Sequence, residues 1–191
     1  MDEQLTRLTQ LMPPPSTLYY KNVDWEDIEK KIGIKYPTSF KEYIGVYGES
    51  VWFDTYSPFY PDSSADDAIE DFLKTTDYYL SFLRETICTE KRSKPFKKED
   101  YIPFPEQGCF FPFMIDYNGS YYYWKTDSAD PERWPIIVGP YGHYTIIENT
   151  SISKMFTSFI EGCNPMNSFW GDFENLPLEL RKVEGGNGET T

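Results

Sequence analysis

Residues 109–125 constrain this chain more than any others. Cys109 to Tyr117 is an apolar, β-prone run, and Ser120 to Lys125 answers it with Tyr121-Tyr122-Tyr123-Trp124. Between them stands Asn118-Gly119, the pair that most favours a two-residue hairpin, because both central residues of that turn need a positive φ. Strands joined so tightly run antiparallel. A lone hairpin is marginal in water, so its apolar side chains call for more strands and a covering layer of helices.

Both are present in the sequence. Trp134 to Val138 and Tyr144 to Ile147 read as further strands, and Val51-Trp52-Phe53 as another. Ser57-Pro58-Phe59-Tyr60-Pro61 reads as an edge segment, since proline cannot donate to a ladder. Leu5, Leu8, Leu11 and Met12 recur at helical spacing before Pro13-Pro14-Pro15 stops the helix. Asn22 or Asp24 can cap a second helix with Trp25, Ile28 and Ile32 on its apolar stripe, and Gly33 offers a left-handed stop. A third helix opens at Pro37 with Phe40, Tyr43, Ile44 and Tyr47 inward, and ends at Gly48. Ala65 to about Cys88 is helical again, with Ile69, Phe72, Leu73, Tyr79, Leu80 and Leu83 inward. Thr150 or Ser151 caps a last helix that runs through Ile160 to Gly162.

Helices, then hairpins, then a helix describe an α+β domain with a mostly antiparallel sheet, because strands and helices do not alternate as a doubly wound fold requires. The 191 residues suffice for one core, and no repeat or long linker divides them. The expected divisions are a helix with its proline stop over 1–15, one domain over 16–183 with a helical insertion near 65–90 and an extension from 163, and a disordered tail over 184–191.

Charge narrows the function. Eighteen Lys and Arg against thirty-one Asp and Glu leave −13, which repels nucleic acid and anionic lipid and favours a basic partner or simple solubility. The local exception, Lys91, Arg92, Lys94, Lys97 and Lys98, reads as a solvated loop. Cys88, Cys109 and Cys163 are odd in number and far apart, which indicates neither a zinc site nor a disulfide framework. With no basic-then-apolar leader at Met-Asp-Glu-Gln-Leu and no membrane-length apolar run, a reducing cytoplasmic setting is expected.

Signs of chemistry are sparse. The one histidine, His143, sits in a turn with no companion nucleophile in sequence. No phosphate-loop, dinucleotide or nucleophile-elbow motif occurs, so no catalytic residue, cofactor or metal is expected. Two carboxylates facing each other in a deep pocket would be needed for a carbohydrate-cleaving enzyme, and no local signature singles out such a pair. Tyr and Trp are abundant, and rings with a polar edge suit contact surfaces as well as cores. Trp25, Trp52, Trp124 and Trp134 are expected in the core. Trp170 either clamps the C-terminal segment or anchors a partner.

The ordered signals resemble the SUKH superfamily. Val23-Asp24-Trp25-Glu26-Asp27-Ile28-Glu29, then Gly33 and Pro37, are similar to its opening helix and loop. Phe40-Lys41-Glu42-Tyr43-Ile44 with Tyr47-Gly48 is similar to its second helix and stop. Asn118-Gly119, Tyr123-Trp124-Lys125-Thr126 and Trp134-Pro135-Ile136-Ile137-Val138 resemble its central hairpin and next strand, and Ser151 to Gly162 its closing helix. The resemblance implies a curved, mainly antiparallel sheet packed on helices, with Trp25, Glu29, Pro37, Gly48, Asn118, Gly119, Trp124, Trp134 and Pro135 as structural motif residues. It implies no enzymatic activity. It implies action through a protein partner, either as a bacterial immunity protein that neutralises a secreted toxin or as a regulator like those of fungal cell-wall synthesis. Many such toxins are nucleases with basic active faces, which an acidic inhibitor would suit. Asp62, Asp66, Asp67, Glu70 and Asp71 are then candidate partner contacts, against the reading that they only cap their helix and keep it soluble.

Overall fold

A computed structural model describes residues 3–16, 18, 23–88, 95–139, 144–162 and 180–182. Five helices, α1 (Glu3–Leu11), α2 (Trp25–Ile32), α3 (Thr38–Tyr47), α4 (Asp66–Cys88) and α5 (Ile152–Ile160), accompany seven strands. The strands are β1 (Ser50–Trp52), β2 (Tyr56–Pro58), β3 (Phe110–Asp116), β4 (Tyr121–Lys125), β5 (Ile136–Gly139), β6 (Thr145–Ile147) and β7 (Leu180–Lys182). They form one sheet in the order β6-β5-β4-β3-β2-β1-β7, and every neighbouring pair is antiparallel.

Both faces of the central hairpin are buried, which is why β4 reads as nearly continuous aromatic sequence. Tyr122 and Trp124 point into the main core with Phe111, Phe113, Tyr36, Phe40 and Phe156. Tyr123 points the other way and joins Phe110, Ile137, Leu80, Leu83 and Ile87 under the C-terminal half of α4. Across β3 and β4, Pro112 pairs with Tyr123 but Met114 pairs with Tyr122, so Phe113 is an extra residue. This bulge lets Phe113 and Met114 both enter the main core, and it falls beside the proline that would otherwise interrupt the ladder.

The caps follow the sequence. The Asp27 N–H donates to Asp24 Oδ1, and Gly33 ends α2 at φ 79° with its N–H on the Glu29 carbonyl. Ser151 caps α5 by accepting from the Lys154 N–H. Glu29 fixes the loop after α2: its Oε1 accepts from the Tyr36 N–H at 2.9 Å and from Lys41 Nζ at 2.7 Å. Its side chain is only 13% exposed, so Glu29→Ala is expected to cost about 1.5–3 kcal/mol, the range for a charged hydrogen-bond partner, read by urea unfolding.

Four expectations are corrected. The segment from Ser57 is no edge: β2 lies between β1 and β3, and Pro58 is accommodated because β1 is in register only at Trp52 and Tyr56. Phe53 leaves the strand at φ 51°, followed by Asp54 at φ 57°, a left-handed pair that Asp tolerates but Phe does not advertise. The central hairpin closes through three residues, Tyr117-Asn118-Gly119, instead of two. Asp116 receives the N–H groups of Asn118 and Ser120 on Oδ1, its carbonyl receives the Gly119 N–H, and Gly119 takes the left-handed position at φ 87°. Finally, Leu73 of α4 is exposed, not inward; the buried stripe is Ile69, Phe72, Thr76, Leu80, Leu83 and Ile87.

α1 belongs to the same core: Leu5 and Leu8 are fully buried, Tyr47 Oη donates to the Met12 carbonyl at 2.7 Å, and Arg7 pairs with Glu161 at the end of α5 at 2.8 Å. Asn22, Lys91, Arg92, Lys94, His143, Cys163, Trp170 and the tail over 184–191 lie outside the described residues. No helix among the described residues is long and apolar enough to cross a membrane.

Candidate partner-binding surface

α4 places the candidate acids, and it splits them into two groups. Asp66 turns toward α2, where Lys31 Nζ meets its Oδ1 at 2.7 Å while also donating to the Ser64 carbonyl at 2.7 Å and pairing with Asp27 at 3.2 Å. The Lys31 ammonium holds the Asp66 carboxyl below its ordinary range. Glu70 is matched within its own helix by Lys74 at 2.7 Å. These two act first as seam and surface pairs.

Asp62, Asp67 and Asp71 instead line a groove of about 610 Å³ between α4 and the β2–β3 side of the sheet, together with Glu49, Phe59 and Phe72. Among the described residues, Asp67 Oδ1 accepts only the neighbouring Ala68 N–H, and Asp71 meets Lys74 at 3.5 Å. Burial pushes the Glu49 carboxyl up, and the Asp62 charge pushes it further in the same direction. A carboxyl raised by folding favours its protonated form in the folded state. Stability is therefore lost as pH rises above the ordinary glutamate range. Glu49→Gln is expected to flatten that decline above the ordinary glutamate range and to raise Tm at neutral pH, as followed by thermal melts across pH.

One helical turn further on, α4 borders a second groove of about 470 Å³ lined by Tyr78, Phe82, Glu85, Tyr121, Tyr123 and Tyr144. Tyr78 is 57% exposed and Phe82 38%, unusual for large rings on a helix whose other face is buried. The two grooves meet where Ile115 of the first pairs across the sheet with Tyr121 of the second. Rings run without a break between them: Phe72 to Phe59 at 4.7 Å, Phe59 to Tyr79 at 5.1 Å, Tyr79 to Tyr121 at 5.0 Å, Tyr121 to Phe82 at 6.0 Å and Phe82 to Tyr78 at 4.9 Å. α4 is held over this row by Tyr123 Oη, which donates to the Tyr79 carbonyl at 3.3 Å. The two grooves thus lie in line along one side of α4, the first acidic and the second aromatic, with a packed row of rings between them.

Apart from Gly119, which borders the second groove, the motif residues lie elsewhere, in the scaffold. Trp25 packs on Tyr36 and Tyr60, Trp134 Nε1 donates to the Ser128 carbonyl at 2.7 Å, and the carbonyls of Pro37 and Pro135 accept from Phe40, Lys41 and Lys125 N–H groups. Gly48 closes α3 with its N–H on the Ile44 carbonyl. Cys109 is buried, and burial pushes its thiol up, which suits an inert core thiol. Among the described residues no group of three or more His, Cys, Asp or Glu is placed to hold a metal ion.

Residues 22–160 match the family SUKH_6, described as SMI1-KNR4 cell-wall. The chain belongs to the SUKH superfamily. No curated protein and no solved structure matches it. The match to this SUKH domain runs through α4, while α1 and β7 lie outside it. Glu49, Tyr78, Phe82, Tyr121 and Tyr144 were not singled out by sequence. One signal was available: Tyr78 and Phe82 stand four apart, off the inward stripe of α4, where nothing in the core requires a ring.

Proposed function

We propose that this SUKH domain is a cytoplasmic immunity protein that binds a secreted bacterial toxin and blocks its active face by protein contact. The observation that carries this reading is the pair of grooves along α4, where the exposed carboxylates of Asp62, Asp67 and Asp71 stand in line with the exposed rings of Tyr78 and Phe82. Exposed Tyr and Phe beside charge are the composition of a protein-contact surface. The acidic excess of the chain, −13, suits a toxin whose active face is basic, as in a nuclease that holds phosphate. Glu49 and Asp62 share the groove, where the Asp62 charge raises the Glu49 carboxyl, and a cation from the partner would relieve that repulsion.

The family description, SMI1-KNR4 cell-wall, favours a second reading: a regulator that binds an enzyme of cell-wall synthesis. Co-expression separates them. The C-terminal domain encoded by the adjacent gene is produced with and without this chain, scoring growth and co-purification. Rescue with a stable complex is expected for immunity. Failure of rescue, or rescue without a complex, contradicts direct inhibition.

A further inference from the structure

We propose that the two grooves along α4 act as one channel and take one short segment of the partner, with Lys or Arg at its leading end and a bulky apolar or aromatic side chain several residues later. This deepens the protein-binding reading above and rests on it. Three features of the channel define the occupant.

The first is length. Asp67 to Phe82 spans fifteen residues of helix, about 22 Å at 1.5 Å per residue. An extended chain covers that distance in about seven residues. A single segment can therefore reach both ends.

The second is charge. Asp62, Asp67 and Asp71 line the same groove as Glu49, whose carboxyl burial and Asp62 already disfavour as an anion. A guanidinium or ammonium placed there relieves the repulsion and gains charge-assisted hydrogen bonds. A neutral ligand would do neither.

The third is the aromatic end. Tyr78 stands edge-on to Phe82 at 90°, and Phe82 lies parallel to Tyr121 at 14°, so the rings form a slot with open faces. A flat or branched apolar side chain fills such a slot and displaces water from rings that are now exposed. A glycan could also stack here, but it would leave the acidic end without a counter-charge, so the peptide is the better match to the whole channel.

The experiment selects a library of random twelve-residue displayed peptides against the whole folded chain. Enriched sequences are expected to pair Lys or Arg with Trp, Phe or Leu about five to seven residues away. Tyr78→Ser/Phe82→Ser and Asp67→Lys/Asp71→Lys are each expected to weaken the selected peptides at least tenfold. All four positions are exposed, and matching thermal melts establish that the variants are folded. Peptides without that pairing, or binding indifferent to both double variants, would overturn the proposal. So would a glucan or chitin oligomer that displaces the peptides and needs Tyr78. Channel-dependent peptides from a chain that fails to neutralise the toxin would uphold the channel and refute immunity. A neutralising chain whose toxin affinity ignores both variants would do the reverse.

Discussion

Trp124→Ala is expected to lower the unfolding free energy by about 3–5 kcal/mol, the range for emptying a large ring from a packed core. Trp124 is 4% exposed, and its ring stacks on Phe113 with centroids 4.1 Å apart and planes 14° apart. It also meets Phe40 edge-on at 5.0 Å and lies against Phe111, Tyr36 and Trp134. Those neighbours come from α3, β3 and the loops before α3 and β5, so no one element can move in to fill the space. The loop bearing Tyr36 is pinned by Glu29, and Phe113 is held by the bulge in β3. At roughly 2–4 °C per kcal/mol for a domain of this size, Tm is expected to fall by about 6–20 °C. Urea unfolding followed by circular dichroism measures it. A loss under about 0.5 kcal/mol, typical of a surface change, would show that this junction is not the centre of the core.

The second large effect is on binding. Reversing Asp67 and Asp71 to Lys is expected to slow association with a basic partner by about tenfold to a hundredfold at low ionic strength, because steering by a charged cleft acts on the encounter. The loss is expected to shrink as salt rises and the Debye length falls below about 10 Å. Stability is expected to fall by no more than about 1–2 kcal/mol, from the first-turn position of Asp67 and the Asp71–Lys74 pair, since both carboxylates are exposed. Asp66 is the wrong residue for this test: it is tied to Lys31, so reversing it would disturb the seam between α2 and α4 as well. Stopped-flow association rates across salt concentration give the answer. Rates that match the unaltered chain at every salt concentration would remove these acids from the interface.

Much of the fold was legible because its signals are local. Asp24, Gly33, Gly48, Ser151 and Gly162 mark helix ends through backbone needs that few other residues meet. The apolar run of β3 and the tyrosines of β4 announce strands buried on both faces. What sequence did not convey depends on contacts distant along the chain. Pro58 looks like an edge residue until the short β1 leaves it without a ladder to break. Phe53 and Asp54 hold a positive φ because Tyr56 is drawn back into the sheet opposite Trp52. Leu73 fits an inward stripe on paper, but α4 rotates to bury Thr76 and Ile87 instead.

The site was half legible for the same reason. The acids before and within α4 stand out by composition, yet composition cannot tell Asp66, held by Lys31, from Asp67, which faces the groove. The aromatic half of the channel combines Tyr78 and Phe82 of α4 with Tyr121 and Tyr144 of the sheet. Nothing along the chain links those residues until the hairpin and helix are packed together.

Amide hydrogen exchange of the chain alone and in complex with the co-expressed toxin domain tests the central claim most directly. Protection is expected to concentrate in α4 from Asp67 to Thr86 and in β4 around Tyr121. Unchanged exchange along α4, with protection elsewhere or none, would contradict it.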